Sequence, residues 1–197
     1  ASWQLDVQVN SDGYYDVVYA DSQTIHINGA IGGGKLAGLI GMRDTTAKSY
    51  LDDLDDLARE LIAAVNARHA SGYDNDRNAG ATFFDPLGVT GARDMQVTAA
   101  ILSDPNRIAA STTVNADGDN ARAIAGIRDE ILMGGVATLG EFYASLVGQI
   151  GQDVTEAARR DTHETSVMTQ MSNAWEQTSG VSIDEEMMNL IKYQMSY

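Results

Sequence analysis

The chain has 197 residues with 28 acidic and 13 basic side chains, a net charge of −15, no cysteine and two prolines. That length can bury a core, and 44% hydrophobic with 21% charged residues excludes a disordered tail. The acidity argues against nucleic acid and anionic membrane as partners, and the missing cysteine excludes disulfides, thiolate metal sites and cysteine nucleophiles.

No run of 18 apolar residues is present, so no segment is expected to span a bilayer. Ala1–Asp6 has neither the basic nor the apolar region of a signal peptide. The chain opens inside a strand pattern and stops at Tyr197 inside a helical one. Both ends are therefore expected to be cuts through a longer protein.

Trp3, Leu5, Val7 and Val9 alternate with polar residues, the period of a half-buried strand. Asn10-Ser11-Asp12-Gly13 is a turn signal, and Tyr14–Tyr19 and Thr24–Ile27 are rich in β-formers. A small antiparallel sheet is expected, and Gly32-Gly33-Gly34 separates it from the rest of the chain.

From Lys35 the period is helical. Leu36, Leu39 and Ile40 open a short helix. Thr45-Thr46 or Ser49 is expected to cap a long one, with Leu51, Leu54, Ala58, Leu61 and Val65 as its apolar stripe. Gly72 is placed for a left-handed C-cap, and His69 as a cation at the negative helix end. Met95–Thr98 reads as a short strand, Ser103-Asp104-Pro105 as a helix start, and Asp119 as a cap for 121–127.

Thr138-Leu139-Gly140-Glu141 is a capping box. From it Tyr143, Val147, Ile150, Val154, Ala157, Asp161, Glu164, Met168, Met171 and Trp175 keep a four-three spacing, a heptad seam on a helix over 138–178 about 60 Å long. A helix of that length predicts an elongated molecule. A second capping box at Ser182–Glu185 starts a last helix presenting Ile183, Met187, Leu190 and Ile191.

Candidate chemistry is sparse. Gly29–Lys35 has the spacing of a P-loop, but Leu36 stands where Ser or Thr would hold Mg²⁺, and no alternating β-α pattern comes after it. A glycine joint between sheet and helix is the favoured reading. Asp74–Gly80 resembles the start of a calcium loop, with its glycine one position late and Asp85 where glutamate belongs; a loop of Asx turns is favoured. His26, His69 and His163 have no metal spacing, and Asp52–Asp56 reads as a solvated helix face. No catalytic constellation, cofactor or metal site is expected. The fold expectation is mainly α: an elongated helical bundle or coiled-coil rod with a small antiparallel β element at the N-terminus.

Residues 179–197 carry Ser-Gly-Val-x-x-Asp-Glu-Glu-x-x-Asn-Leu-Ile-x-Tyr-Gln-x-x-Tyr, which resembles the C-terminal signature of bacterial flagellar rod, hook and hook-associated proteins. Gly33–Ile40 with Arg43-Asp44, Leu54–Asn66 with His69 and Gly72, Phe83-Phe84, Asp104-Pro105 with Ile108–Ser111, and Gly118–Asn120 are similar to the hook-associated protein 1 family at the hook–filament junction. The resemblance implies a non-enzymatic structural subunit, with residues 1–34 ending an outer β-rich domain and 35–197 belonging to a helical axial domain cut before its C-terminus. It implies type III export without a cleaved signal and a place in the extracellular flagellum. The implied partners are copies of itself, the hook protein, the filament-side junction protein and an export chaperone on the C-terminal helices. Another flagellar axial protein is the alternative, and a nucleotide-binding protein using Gly29–Lys35 a remote one.

Overall fold

The computed structural model describes residues 4–86, 91–114, 117–179 and 183–196, with the backbone alone at Gln23, Ser179 and 183–186. Trp3, the capping box at Ser182 and the side chain of Ile183 lie outside the described residues. The chain divides into two compact units, residues 1–146 and 147–197.

Strands β1 (Leu5–Val9), β2 (Tyr15–Tyr19) and β3 (Ser22–His26) form an antiparallel sheet in that order. Asn10 Oδ1 makes the first turn by accepting the amides of Asp12 and Tyr14, both at 3.0 Å, and Gly13 supplies the left-handed residue at φ +81°. Pairing of Leu5 with Tyr19, Val7 with Val17 and Val9 with Tyr15 puts these six side chains on one face. Asp16, Val18 and His26 share the other face, where Val18 is fully buried. The expected half-buried strand is therefore not found in β1: all five of its residues are exposed.

Helix α1 (Gly34–Gly41), a π turn (Met42–Thr46) and helix α2 (Ala47–Ala70) run on without leaving helical geometry. Thr45, Thr46 and Ser49 therefore cap nothing, because the preceding turns already supply acceptors for the amides of α2. Instead, the Ser49 hydroxyl donates to the Thr46 carbonyl at 2.9 Å. The buried stripe of α2 is Ala58, Ile62, Val65 and His69. It lies one residue from the expected one at Ile62, while Leu51 is exposed and Leu61 only half-buried.

The long segment after α2 is stapled back onto it by side chains. Asn66 Oδ1 accepts the amides of Phe83 (2.9 Å) and Phe84 (2.8 Å), and its Nδ2 donates to the Phe84 carbonyl at 2.9 Å. Met95–Thr98 makes no strand; one bridge joins Phe84 to Val97. Helix α3 (Ala99–Ser103) ends where a start was expected. Asp104 then caps a single 3₁₀ turn, Pro105–Arg107, by accepting the Asn106 amide at 3.1 Å. Asp119 is the first residue of helix α4 (Asp119–Gly126), so the capping acceptor is Asp117, whose Oδ1 takes the Asp119 amide at 3.0 Å. An unforeseen hairpin comes next, β4 (Ile131–Met133) with β5 (Ala137–Thr138), turning through Gly134 and Gly135 at φ +59° and +72°.

Helix α5 (Leu139–Ser179) has 41 residues, and its capping box is present as expected. The Thr138 amide donates to Glu141 Oε2 at 2.9 Å, and the Glu141 amide donates to Thr138 Oγ1 at 3.2 Å. Helix α6 spans Ile183–Gln194. The fold is mainly helical with a small antiparallel sheet near the N-terminus. The described apolar core is small and lies in the first unit: Val18, Ala58, Ile62, Val65, Ile101, Ala109, Ile127, Met133 and Leu146.

Candidate assembly surface

Leu146, near the start of α5, is the last described side chain of that helix to be buried. From Val147 to Thr178 every residue is exposed except Ile150 and Val167, which are half-buried. At 100° per residue, the expected seam from Tyr143 to Trp175 stays within an arc of about 120°. It is thus one largely apolar stripe, and among the described residues none of its side chains is buried. Val154 and Met171 are each 64% exposed and Trp175 70%. Tyr143, Val147 and Met168 are also exposed, as are Met187, Leu190 and Ile191 on α6.

The rest of the α5 surface is satisfied locally. Thr155, Thr162, Ser166, Thr169 and Thr178 each donate to the carbonyl four residues back, at 2.8–2.9 Å. Arg160 pairs with Glu156 at 2.9 Å. Asp161 and Glu164 are the polar interruptions of the stripe. Helices with an apolar stripe of this kind gain most of their stability when another element packs on it.

The first unit holds a polar joint that the sequence does not announce. Asp16 accepts from Asn10 Nδ2 (3.0 Å), Asn28 Nδ2 (2.8 Å) and His26 Nδ1 (2.8 Å). Arg43, in the π turn, reaches across to donate to the Tyr15 carbonyl at 2.7 Å and lies 5.2 Å from the centre of the Tyr14 ring. It also grips Asp44, which lowers the Asp44 carboxyl from its ordinary range and raises the Arg43 guanidinium. In the sequence Arg43-Asp44 stands out only as part of a motif; the role of the pair depends on a π turn that no periodicity reveals.

His69 is not a cationic cap. It is wholly buried; Nδ1 donates to the Ala81 carbonyl at 2.6 Å and Nε2 accepts the Ala109 amide at 2.9 Å. A carbonyl partner requires N–H, and an amide partner requires a lone pair, so the ring is the neutral Nδ1–H tautomer. Phe83 packs edge-on against it, with ring centres 5.4 Å apart. Gly72 is not left-handed either. A Cβ there would come within 2.8 Å of Asn120 Cγ and the Ser111 carbonyl oxygen, so glycine serves close approach.

Asp74–Gly80 is a loop of Asx turns, as its sequence favours. Asp74 Oδ1 accepts the amides of Asp76 (2.9 Å) and Asn78 (2.7 Å), and Oδ2 accepts Asn78 Nδ2 at 3.2 Å. Burial opposes its charge, but these donors outweigh it and hold the carboxyl below its usual range. Gly29–Lys35 begins inside a 3₁₀ turn, Asn28–Ala30, that comes after an antiparallel sheet rather than the parallel strand of a phosphate-binding loop. Among the described residues there is no group of three or more potential metal ligands. No helix among them is long and apolar enough to cross a membrane.

Residues 2–84 match the family model described as the flagellar hook-associated protein FlgK helical domain. Over 159 residues, 75% of the chain, the sequence is 31% identical to flagellar hook-associated protein 1 of Bacillus subtilis (strain 168). The chain is related to flagellar hook-associated protein 1. The proteins of that name from Salmonella typhimurium and Escherichia coli K12 are also 31% identical, over 43% and 49% of the chain. The chain spans only part of each relative: 31% of the Bacillus protein, 15% of the Salmonella one and 18% of the Escherichia one. The family match runs unbroken across Gly32–Gly34, taking in both the sheet and the whole helical run that ends at Ala70.

Proposed function

We propose that the chain is part of a non-enzymatic structural subunit of the bacterial flagellum that joins hook to filament through helical seams. The observation that carries this is the uncovered stripe of α5, Tyr143, Val147, Ile150, Val154, Met168, Met171 and Trp175, continued in kind by Met187, Leu190 and Ile191 of α6. A helix this apolar on one side gains most of its stability from partner helices. The partners are other copies in an axial assembly, the hook protein and the filament-side junction protein. Before assembly, an export chaperone covers the C-terminal helices. The subunit works outside the cell, after type III export. Residues 1–34 close an outer domain and 35–197 contribute the axial one. The Bacillus, Salmonella and Escherichia relatives, all hook-associated protein 1, favour the junction over other axial positions.

The test uses the full-length gene. Val154→Asp combined with Met171→Asp should leave the soluble protein folded by circular dichroism and stop filament attachment in cells. Wild-type filaments and swimming in that strain would overturn the site.

A further inference from the structure

Asn28-Gly29 is the one Asn-Gly pair in the chain, and it lies between β3 and α1. Such a pair is chemically labile. Glycine has no Cβ, so its amide nitrogen can approach the preceding side chain unhindered. The Gly29 nitrogen attacks Cγ of Asn28, the Cγ–Nδ2 bond breaks, and ammonia leaves with the Gly29 amide proton. The five-membered imide that results takes up water at either carbonyl. Breaking the Cγ–N bond gives aspartate. Breaking the main-chain bond gives isoaspartate, whose backbone is longer by one methylene. Gly29 is exposed to the water this needs, and a Cβ on it would meet nothing within 4 Å.

The fold holds Asn28 away from this reaction. Its Oδ1 accepts the Val17 amide at 2.8 Å, and its Nδ2 donates to Asp16 Oδ1 at 2.8 Å and, more loosely, to Asp44 Oδ2 at 3.5 Å. Its carbonyl accepts the Ile31 amide at 3.2 Å, which closes the 3₁₀ turn. Both ends of the side-chain amide are therefore tied to β2, and one of them also to the π turn. To form the ring, Cγ must leave these partners and turn back to its own backbone. Attack has to wait until the joint opens.

We propose that Asn28 is a deamidation site gated by the joint between sheet and helix, and that a deamidated joint no longer closes as before. Deamidation replaces a donor by an acceptor. A carboxylate oxygen would stand where Nδ2 now serves Asp16 and Asp44. The charged and titratable groups around it are Asp16, His26, Arg43 and Asp44. Arg43 grips Asp44 and lies 3.6 Å from Asp16, while His26 Nδ1 is 2.8 Å from Asp16. A third carboxylate would thus face two that already share one guanidinium, and like charges at that distance repel.

The full-length protein is kept in mildly alkaline buffer, folded and in urea, and conversion at Asn28 is followed by peptide mass spectrometry. Conversion should be at least about tenfold faster in urea, because attack in the folded chain requires prior opening. Equal rates overturn the gate, and no conversion in urea overturns the site. Asn28→Asp, which copies the aspartate product, should melt below the wild type. Adding Asp16→Asn returns a donor to face the new carboxylate and should recover part of that loss. A wild-type melting temperature for Asn28→Asp, or a double variant that recovers nothing, overturns the effect on the joint.

Discussion

The Nε2 of His69 accepts the backbone amide of Ala109, forty residues further along the chain, at 2.9 Å. Nδ1 of the same ring serves Ala81, so one side chain ties the end of α2 to two separate stretches of the segment beyond it. Asn120 completes the arrangement from α4, donating to the Ala109 carbonyl at 2.6 Å. Where apolar core is scarce, such buried polar links are costly to break, because each leaves an unpaired group out of reach of water.

Replacing His69 by alanine strands the Ala81 carbonyl and the Ala109 amide and opens a cavity beside Phe83. The expected loss is about 3 kcal/mol from the two unmet groups and the lost packing. Urea denaturation of the variant checks it. Residues 72–111 should also lose amide-exchange protection before α2 does.

Gly80 and Gly126 should respond oppositely to alanine. At Gly80 a Cβ would sit 2.7 Å from Ala109 Cβ and 3.0 Å from the His69 carbonyl carbon, with that carbonyl oxygen closer still. Backbone must move, and roughly 1–3 kcal/mol should be lost. At Gly126, the last residue of α4, a Cβ meets nothing, and the change should stabilise by about 0.5–1 kcal/mol through the unfolded chain. Paired denaturation curves decide both.

Thr138→Ala removes the hydroxyl that serves the Glu141 amide, and about 1 kcal/mol should go with it. The loss should appear as faster amide exchange in the first turn of α5, with the β4–β5 hairpin intact.

The pH response is set by carboxylates held by donors. Asp117 accepts the amides of Asp119 and Thr112 and the hydroxyls of Thr112, Thr113 and Ser111, which push its carboxyl far below the usual range. Glu141 is lowered by the Thr138 amide and hydroxyl. A carboxyl lowered by folding stabilises fully above its unfolded pKa, about 3.9 for Asp and 4.3 for Glu. That stability is lost as pH falls through the folded value. Thermal melts should therefore be nearly flat above about pH 5 and fall steadily below it. Asp117→Asn should melt lower at neutral pH and show a shallower acid decline.

Amide exchange should separate the two parts of α5. Residues up to Leu146 have a buried anchor, whereas those beyond it have only their own backbone bonds and local side-chain bonds. Exchange from 147 to 179 should be faster than in α2 by orders of magnitude. Equal protection in the isolated chain would contradict the absence of a covering partner.

The sequence conveyed most where one local rule governs. The Thr138–Glu141 box, the Asn10–Gly13 turn and the helical stripe of α5 each depend on neighbours within a turn or two, and each is found. Failures cluster where distant contacts decide. His69 reads locally as a helix-end cation, yet Ala81 and Ala109 make it a neutral staple. Gly72 reads as a left-handed cap, yet Asn120 and Ser111 explain it through closeness. Ile62 replaces Leu61 because a stripe of mixed Leu, Ile and Ala fits two adjacent phases equally well until the packed segment chooses one. The β4–β5 hairpin is too short, at three and two residues, to show a period of two. For the candidate surface, the stripe itself was legible, but its exposure was not, because a heptad spacing reads the same whether or not a neighbour packs on it.

The π turn at Met42–Thr46 has a consequence for how this segment can vary. Each residue added to or removed from a helix rotates everything beyond it by about 100°. Arg43 must keep its aim at Tyr15 while Ala58, Ile62, Val65 and His69 keep theirs at the core. A single-residue deletion within Met42–Thr46 would tighten the turn to an ordinary helix and turn one set of side chains away from its target. Insertions and deletions should therefore be purged from these five positions, while amino-acid exchange at Met42 or Thr45, which hold neither end, is tolerated.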